Sequence, residues 1–210
     1  MLLFQQAVEA LFPRFCVGCG CEGALLCLMC QVQWNKVPIH VDGKRHLFSF
    51  AYADAIARSL LCAWKYQYDR SAWEVLQKKM TEGRLVLKSF VQAAQIDVIT
   101  PVSLHPMKRC LRGFDQAQVI AQELARQTNV SYQSLLQRKR FTRAQAKKGT
   151  GERRKFLRSQ PFVLAQKDLR EKHILLVDDV WTTGSTMRAA ARVLRGAGAQ
   201  VFYYTLAKGG

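Results

Sequence analysis

Residues 174–186 read Ile-Leu-Leu-Val-Asp-Asp-Val-Trp-Thr-Thr-Gly-Ser-Thr, and no other stretch restricts the fold as tightly. Ile174, Leu175, Leu176 and Val177 make a short apolar run whose length and branching suit a strand buried on both faces. Asp178 and Asp179 come next, then Thr182, Thr183, Gly184, Ser185 and Thr186. A helical pattern follows, from Met187 through Val193 and Leu194 to the stop signal Gly196-Ala197-Gly198. The order strand, acid pair, hydroxyl turn, helix predicts an α/β fold with a parallel sheet flanked by helices.

The turn also has chemical content. The first N–H groups of a helix lack intrahelical partners and carry partial positive charge, so a phosphate suits them. Thr and Ser hydroxyls add donors, and Gly184 lets the backbone approach a ligand closely. Two carboxylates just upstream are acceptors for a pair of ribose hydroxyls. Phosphate donors beside diol acceptors describe a sugar 5′-phosphate site. An acidic N-cap on an ordinary βα turn accounts for one Asp and one Thr, but not for two acids and four hydroxyls. The spacing is not that of a nucleoside-triphosphate P-loop.

Charge is the unusual bulk property. The 210 residues hold 32 Lys and Arg against 15 Asp and Glu, a net charge of +17, with a pI near 10.0. Such a chain expects a polyanionic partner, nucleic acid or a phosphorylated substrate. Charge alone is equally compatible with a ribosome-like or membrane-surface role. With hydrophobic residues at 49 %, the composition supports a packed core rather than disorder. The N-terminus lacks a basic n-region, and no apolar stretch reaches membrane-spanning length, so a cytoplasmic protein is expected. Residues 2–12 carry Leu3, Ala7, Val8, Leu11 and Phe12 at helical spacing, which predicts a short amphipathic helix ended by Pro13.

The cysteines follow the same expectation. Seven are present, and four fall into two CxxC pairs, Cys16/Cys19 and Cys27/Cys30. Two residues between thiols let both sulfurs reach one ion, so the four predict a compact tetrahedral zinc site. Cys21 is a fifth thiol nearby that leaves the first pair ambiguous. Free or redox-active thiols are the alternative, although a thioredoxin-type motif needs one CxxC in a βαβ setting. Cys62 and Cys110 read as packed apolar thiols. Residues 31–46 read as a linker with exposed His40 and His46. The expected division is a zinc module with its linker over 1–46 and an α/β domain over 47–210.

Further along, Leu47 to Ala53 predicts a strand, and Asp54 caps a helix running towards Trp64. A second helix is expected from Ser71 to Leu87, with Lys78, Lys79, Arg84 and Lys88 on its solvated face. Ile96 to Thr100 is a short strand ending at Pro101, and the loop after it carries Lys108, Arg109 and Arg112. Following a strand, this loop opens at the same sheet edge as Asp178. Arginine forks suit phosphate oxygens, so Arg109 and Arg112 are the candidates for pyrophosphate, with a merely solvated basic loop as the plain alternative. Phe114 to Thr128 reads as an amphipathic helix, Tyr132 to Leu136 as a strand, and Val201 to Leu206 as the last strand. Between these lies the most basic segment, with Arg138, Arg140, Arg143, Lys147, Lys148, Arg153 and Arg154. It suits a lid over an anionic substrate, a strip for a nucleic-acid backbone, or a solvated loop.

Residues 174–186 resemble the phosphoribosyl-pyrophosphate (PRPP) signature of type I phosphoribosyltransferases, with Trp181 where a small aliphatic residue is usual. The two CxxC pairs, Lys65-Tyr66, Pro101-Val102 with Leu104, Arg109, Arg112-Gly113-Phe114 with Gln116, and Thr142 with Gln145 extend the likeness. Together they resemble the ComF family of competence proteins, which join a four-cysteine zinc module to a phosphoribosyltransferase-like domain. Ser103 and Asp115 depart from the family's usual Pro and Asn. The resemblance implies that Thr182 to Thr186 bind the 5′-phosphate of PRPP and that Asp178 and Asp179 bind its ribose hydroxyls, with Mg²⁺. It implies handling of single-stranded DNA in natural transformation or DNA utilisation, with DNA-uptake machinery or a helicase as partner. An active transferase releasing pyrophosphate is the alternative, and no catalytic acid or base is assigned.

Overall fold

The computed structural model describes residues 13–34, 40–67, 69–104, 113–138, 162–165 and 168–209. The expected N-terminal helix, Arg109, Arg112, Cys110, Thr142, Gln145 and the basic residues from Arg140 to Arg154 lie outside the described residues. In chain order the elements are α1 (Leu28–Trp34), β1 (His40–Asp42), β2 (His46–Ala51), α2 (Ala55–Tyr66), α3 (Arg70–Glu82), α4 (Arg84–Ala93) and β3 (Val98–Pro101). Then come α5 (Gln116–Thr128), β4 (Ser131–Tyr132), β5 (Leu136–Arg138), β6 (Phe162–Leu164), β7 (His173–Trp181), α6 (Ser185–Gly196) and β8 (Gln200–Lys208).

Six strands form one sheet in the order β1-β2-β8-β7-β3-β4. Only β1 runs antiparallel to its neighbour; every other adjacent pair is parallel. The two central strands are covered on both faces, as the apolar run predicts. Ile174 and Leu176 join one core cluster with Met187, Ala190 and Leu194 of α6. Leu175 and Val177 join the other, with Leu60, Leu61 and Trp64 of α2 and Ile120 and Leu124 of α5. Alternate residues of a strand point to opposite faces, so one apolar run feeds two cores. Strands β5 and β6 form a separate antiparallel pair. That pair is tied to the end of β3 by Leu135 N–H donating to Thr100 Oγ1 at 3.1 Å and Ser103 Oγ donating to the Leu136 carbonyl.

Several expectations change. The stretch read as linker contributes β1 and the start of β2, a hairpin that extends the sheet. His46 is therefore not an exposed loop residue: it is buried, with Nε2 3.1 Å from Thr205 Oγ1. A three-residue edge strand with a half-exposed pattern carries too little periodicity to read from sequence. The single helix expected over 71–87 is two, α3 and α4, meeting at Gly83. Lys79 is not on a solvated face; it is buried, and its Nζ donates to the Trp34 carbonyl at 3.3 Å. Cys62 is exposed rather than packed.

Lys79 belongs to the fastening between the cysteine segment and the sheet. Trp34, at the end of α1, stacks on Phe50 of β2 with ring centroids 4.9 Å apart. Its Nε1–H donates to Asp54 Oδ2 at 3.0 Å, while Asp54 Oδ1 accepts the Ala57 N–H and caps α2. Cys16, Cys30 and Trp34 share one core cluster with Leu47 and Phe50.

Candidate functional site

Helix α2 buries Ala57, Leu60, Leu61 and Trp64, the i, i+3, i+4, i+7 stripe of an amphipathic helix. Lys65 follows Trp64 by one step, about 100° around the axis, and so lies at the edge of the buried face. Its Nζ is 2.8 Å from Asp179 Oδ2 on β7, with side-chain exposures of only 14 % and 16 %. An ion pair this sheltered is held in one geometry, and removing either member strands the other.

Asp178 has a different environment. Oδ1 accepts the Asp179 N–H at 2.9 Å. Burial pushes its carboxyl up to about 8, and the charges of Asp179 and Asp115 act the same way, against the Asp179 N–H and Lys65. Asp115 is the buried N-cap of α5: Oδ1 accepts the Gln118 N–H at 3.3 Å and Oδ2 the Leu104 N–H at 3.0 Å. One carboxylate thus fixes both the start of α5 and the backbone just beyond β3. Arg138 of β5 completes the group. Its guanidinium sits 5.4 Å from the Phe162 ring centroid; burial lowers its pKa, and Asp178 works against that shift.

Strand β7 runs through both aspartates to Trp181, and the turn begins at Thr182. Thr182, Thr183 and Ser185 are exposed, and Thr186 is half-buried. Thr183 Oγ1 donates to Ser185 Oγ at 3.1 Å and accepts the Ser185 N–H at 3.4 Å. Gly184 has φ +66°, and a Cβ there would meet the Trp181 ring at 2.5 Å, so a side chain is excluded by both backbone and space. Arg188, in the first turn of α6, lies over Trp181 at 5.8 Å from the centroid and donates to the Thr183 carbonyl. Fixing that carbonyl fixes the Thr183–Gly184 peptide plane, so the Gly184 N–H points the opposite way.

The structure thus brings Asp178, Asp179 and the Thr182–Thr186 turn together at the carboxyl end of β7. It adds three residues that sequence reading did not assign there: Lys65, Asp115 and Arg188. Arg138, read as part of a nucleic-acid strip, lies close enough to this edge to feel the charge of Asp178. The pair Lys65-Tyr66 was part of the family resemblance, which is the signal that marks Lys65.

The cysteines form a second centre. The sulfurs of Cys16, Cys19, Cys21 and Cys27 all lie within 4.8 Å of one another, a group that can hold a metal ion. Cys19 and Cys27 are 3.6 Å apart, close to the ~3.8 Å between thiolates around a tetrahedral zinc with Zn–S near 2.3 Å. Backbone N–H groups point at the sulfurs as they do in metal knuckles. Gly18 and Cys27 donate to Cys16 at 3.4 and 3.3 Å, and Cys30 donates to Cys27 at 3.5 Å. Burial would raise the Cys16 thiol, but donors from Cys27, Cys19 and Gly18 bring it down to about 6. This group differs from the expected four in having Cys21 in place of Cys30. Cys30 remains in touch with Cys27, Cys19 and Cys16 from the buried side.

A strand with two acids near its end, a hydroxyl turn and a helix thus follow one another at the carboxyl edge of a mostly parallel sheet. Residues 114–209 match the family described as the phosphoribosyl transferase domain, so this stretch, which contains β7, the turn and α6, carries it. The chain is 28 % identical over 106 residues to competence protein F of Haemophilus influenzae, covering 50 % of this chain and 46 % of that protein. It is 29 % identical over 197 residues to competence protein ComFC of Streptococcus pneumoniae, covering 93 % of this chain and 81 % of that protein. The chain is thus similar to two competence proteins, with a cysteine cluster ahead of the stretch that matches the phosphoribosyl transferase domain. A solved purine phosphoribosyltransferase from Pyrococcus horikoshii Ot3 is similar at TM-score 0.39 and 17 % identity, over 63 % of this chain and 73 % of that one. At that level the likeness adds nothing to the sheet order.

Proposed function

We propose that the chain binds PRPP at the edge formed by β7 and α6 and handles single-stranded DNA in the manner of a ComF-type protein. The observation that supports it best is the composite of Asp178, the Lys65-paired Asp179 and the exposed Thr182–Thr186 turn at one sheet edge. Asp178 and Asp179 are assigned to the ribose hydroxyls. Thr182, Thr183, Gly184, Ser185 and Thr186 are assigned to the 5′-phosphate, by hydroxyls and by N–H groups at the helix start. Arg109 and Arg112 are assigned to the pyrophosphate. Lys65 fixes Asp179, and Arg188 fixes the turn.

Mg²⁺ is proposed to enter with the ligand, bound by its phosphates and the carboxylate edge, and to neutralise charge on the pyrophosphate. The Cys₄ centre is assigned to structural zinc. A reducing cytoplasm suits a cluster of thiols that stay free to bind metal. No helix among the described residues is long and apolar enough to cross a membrane.

The DNA reading draws on the +17 net charge, which a small-molecule site alone does not require. Arg140, Arg143, Lys147, Lys148, Arg153 and Arg154 are the proposed phosphate contacts. Fluorescence anisotropy with a labelled single strand tests it. Affinity should fall steeply with salt as counterions are released, and a flat salt response rejects it.

Turnover is a separate question. If the chain is a transferase, an acceptor forms a bond to ribose C1 as the C1–oxygen bond to pyrophosphate breaks. The residues named above would hold the two ends of PRPP while positive charge grows at C1. Pyrophosphate release measured across a panel of bases and amines decides it: release with one acceptor makes the chain an enzyme, and none leaves it a binding protein.

A further inference from the structure

The cysteine cluster holds more thiols than a tetrahedral ion can use. Cys16, Cys19 and Cys27 are common to the two possible sets: the paired CxxC spacing adds Cys30, and the mutual sulfur distances add Cys21. The two extra thiols approach from different sides. Cys30 is buried on α1, and its sulfur lies only 2.8 Å from where a Cβ on Gly18 would stand. Cys21 is exposed. It is brought back to the cluster by a tight turn, in which Gly20 N–H donates to the Cys16 carbonyl and Cys16 N–H to the Cys21 carbonyl, both at 2.8 Å. Gly20 makes this reversal with φ +75°.

We propose that Cys21 is a reserve ligand: it and Cys30 compete for the fourth position of the ion held by Cys16, Cys19 and Cys27. The inference rests on the metal reading proposed above. A tetrahedral ion closed by four thiolates leaves the fifth thiol beside it uncoordinated. With Cys30 bound, the spare thiol is the exposed Cys21. With Cys30 withdrawn, Cys21 closes the shell without any change in chain path across the knuckle, because its sulfur already lies within 4.8 Å of the other three.

The test uses the full chain loaded with zinc, in wild-type form and as Cys21→Ser, Cys30→Ser and the double variant. Metal is counted by native mass spectrometry, and thiols are mapped by iodoacetamide labelling followed by peptide analysis. Each single variant should retain one zinc, with affinity reduced by at most about tenfold; the double variant, left with three thiolates, should lose at least about a hundredfold. Labelling carries the decision. Cys21 should react in the zinc-loaded wild type and become protected in zinc-loaded Cys30→Ser. If Cys30→Ser binds zinc no better than the double variant, or if Cys21 stays reactive in its loaded form, the reserve-ligand proposal is overturned. If the wild type itself takes up no metal, the metal reading fails instead. Should Cys30→Ser fold poorly, Cys21→Ser gives an independent check. All four of its cluster thiols should be protected by zinc, and a reactive Cys30 there contradicts the proposal.

Discussion

The two centres of this protein are built in opposite ways. The cysteine cluster is local: its ligands span residues 16–30, and its backbone donors come from the same loops. The acidic edge is assembled from far-apart pieces: Lys65 from α2, Asp115 from α5, Arg138 from β5, and Asp178 and Asp179 from β7. On the metal reading proposed above, a local centre depends on an ion to hold its thiolates together. An assembled centre is held by the fold and carries charges that the fold must tolerate. The first is therefore expected to fail by losing the proposed metal, and the second by losing a partner charge.

That contrast can be broken experimentally, and the largest effect is expected at the cysteines. Chelation, or Cys16→Ser with Cys27→Ser, should unfold the cysteine segment and cost the whole chain several kcal/mol, since structural zinc supplies folding energy directly. The loss should spread, because Cys16 and Trp34 pack in the same core cluster as Leu47 and Phe50. Calorimetric melting with and without chelator measures it; an unchanged melt means the segment stands without metal.

Next in size is Lys65→Ala, which strands Asp179. Breaking a sheltered pair costs about 2–4 kcal/mol, readable in urea. The double variant Lys65→Met/Asp179→Leu should recover most of that stability. If the single change is neutral, the pair is not sheltered in solution.

Asp178 gives an effect of comparable size with a definite sign. Its folded pKa, about 8, lies above that of a free aspartate, so the folded state holds the proton more tightly than the unfolded one. Stability is therefore intact near pH 4 and falls as pH rises towards 8. Asp178→Asn removes that loss. Its melting temperature should exceed the wild type's by an amount that grows between pH 5 and pH 8, to roughly 3 °C or more. A gain that is flat with pH would contradict the buried-acid description.

The smallest expected effect is at Arg188. Arg188→Ala frees the Thr183 carbonyl and the Trp181 ring, leaving the core intact. Affinity for ribose 5-phosphate should drop by roughly threefold to tenfold, the worth of about one hydrogen bond, with the melting temperature nearly unchanged. Unaltered affinity would mean the turn needs no such support.

The same contrast explains what could be read from sequence. The CxxC spacing and the run from Ile174 to Thr186 are contiguous patterns, so the cysteine cluster, the two-faced strand and the turn were legible. Asp54 was legible as a helix cap, whereas Asp115 was marked only as a departure from the family's usual Asn. Lys65 was not legible as a partner of Asp179, because more than a hundred residues separate them and only the parallel sheet brings them together. Lys79 and His46 were misread for a related reason. Each is a polar residue buried through a single hydrogen bond to a distant segment, Trp34 and Thr205 respectively, which no periodicity encodes. The break at Gly83 and the hairpin of β1 were missed because both are short.

The most direct test of the central claim is isothermal calorimetry of the full chain with PRPP and Mg²⁺, set beside Asp178→Asn and Asp179→Asn. Saturable one-to-one binding by the wild type, abolished or weakened at least about a hundredfold when both acids are replaced, is the result predicted. Binding that survives the double replacement, or a wild type that takes up no PRPP while its melt confirms a folded chain, would contradict it.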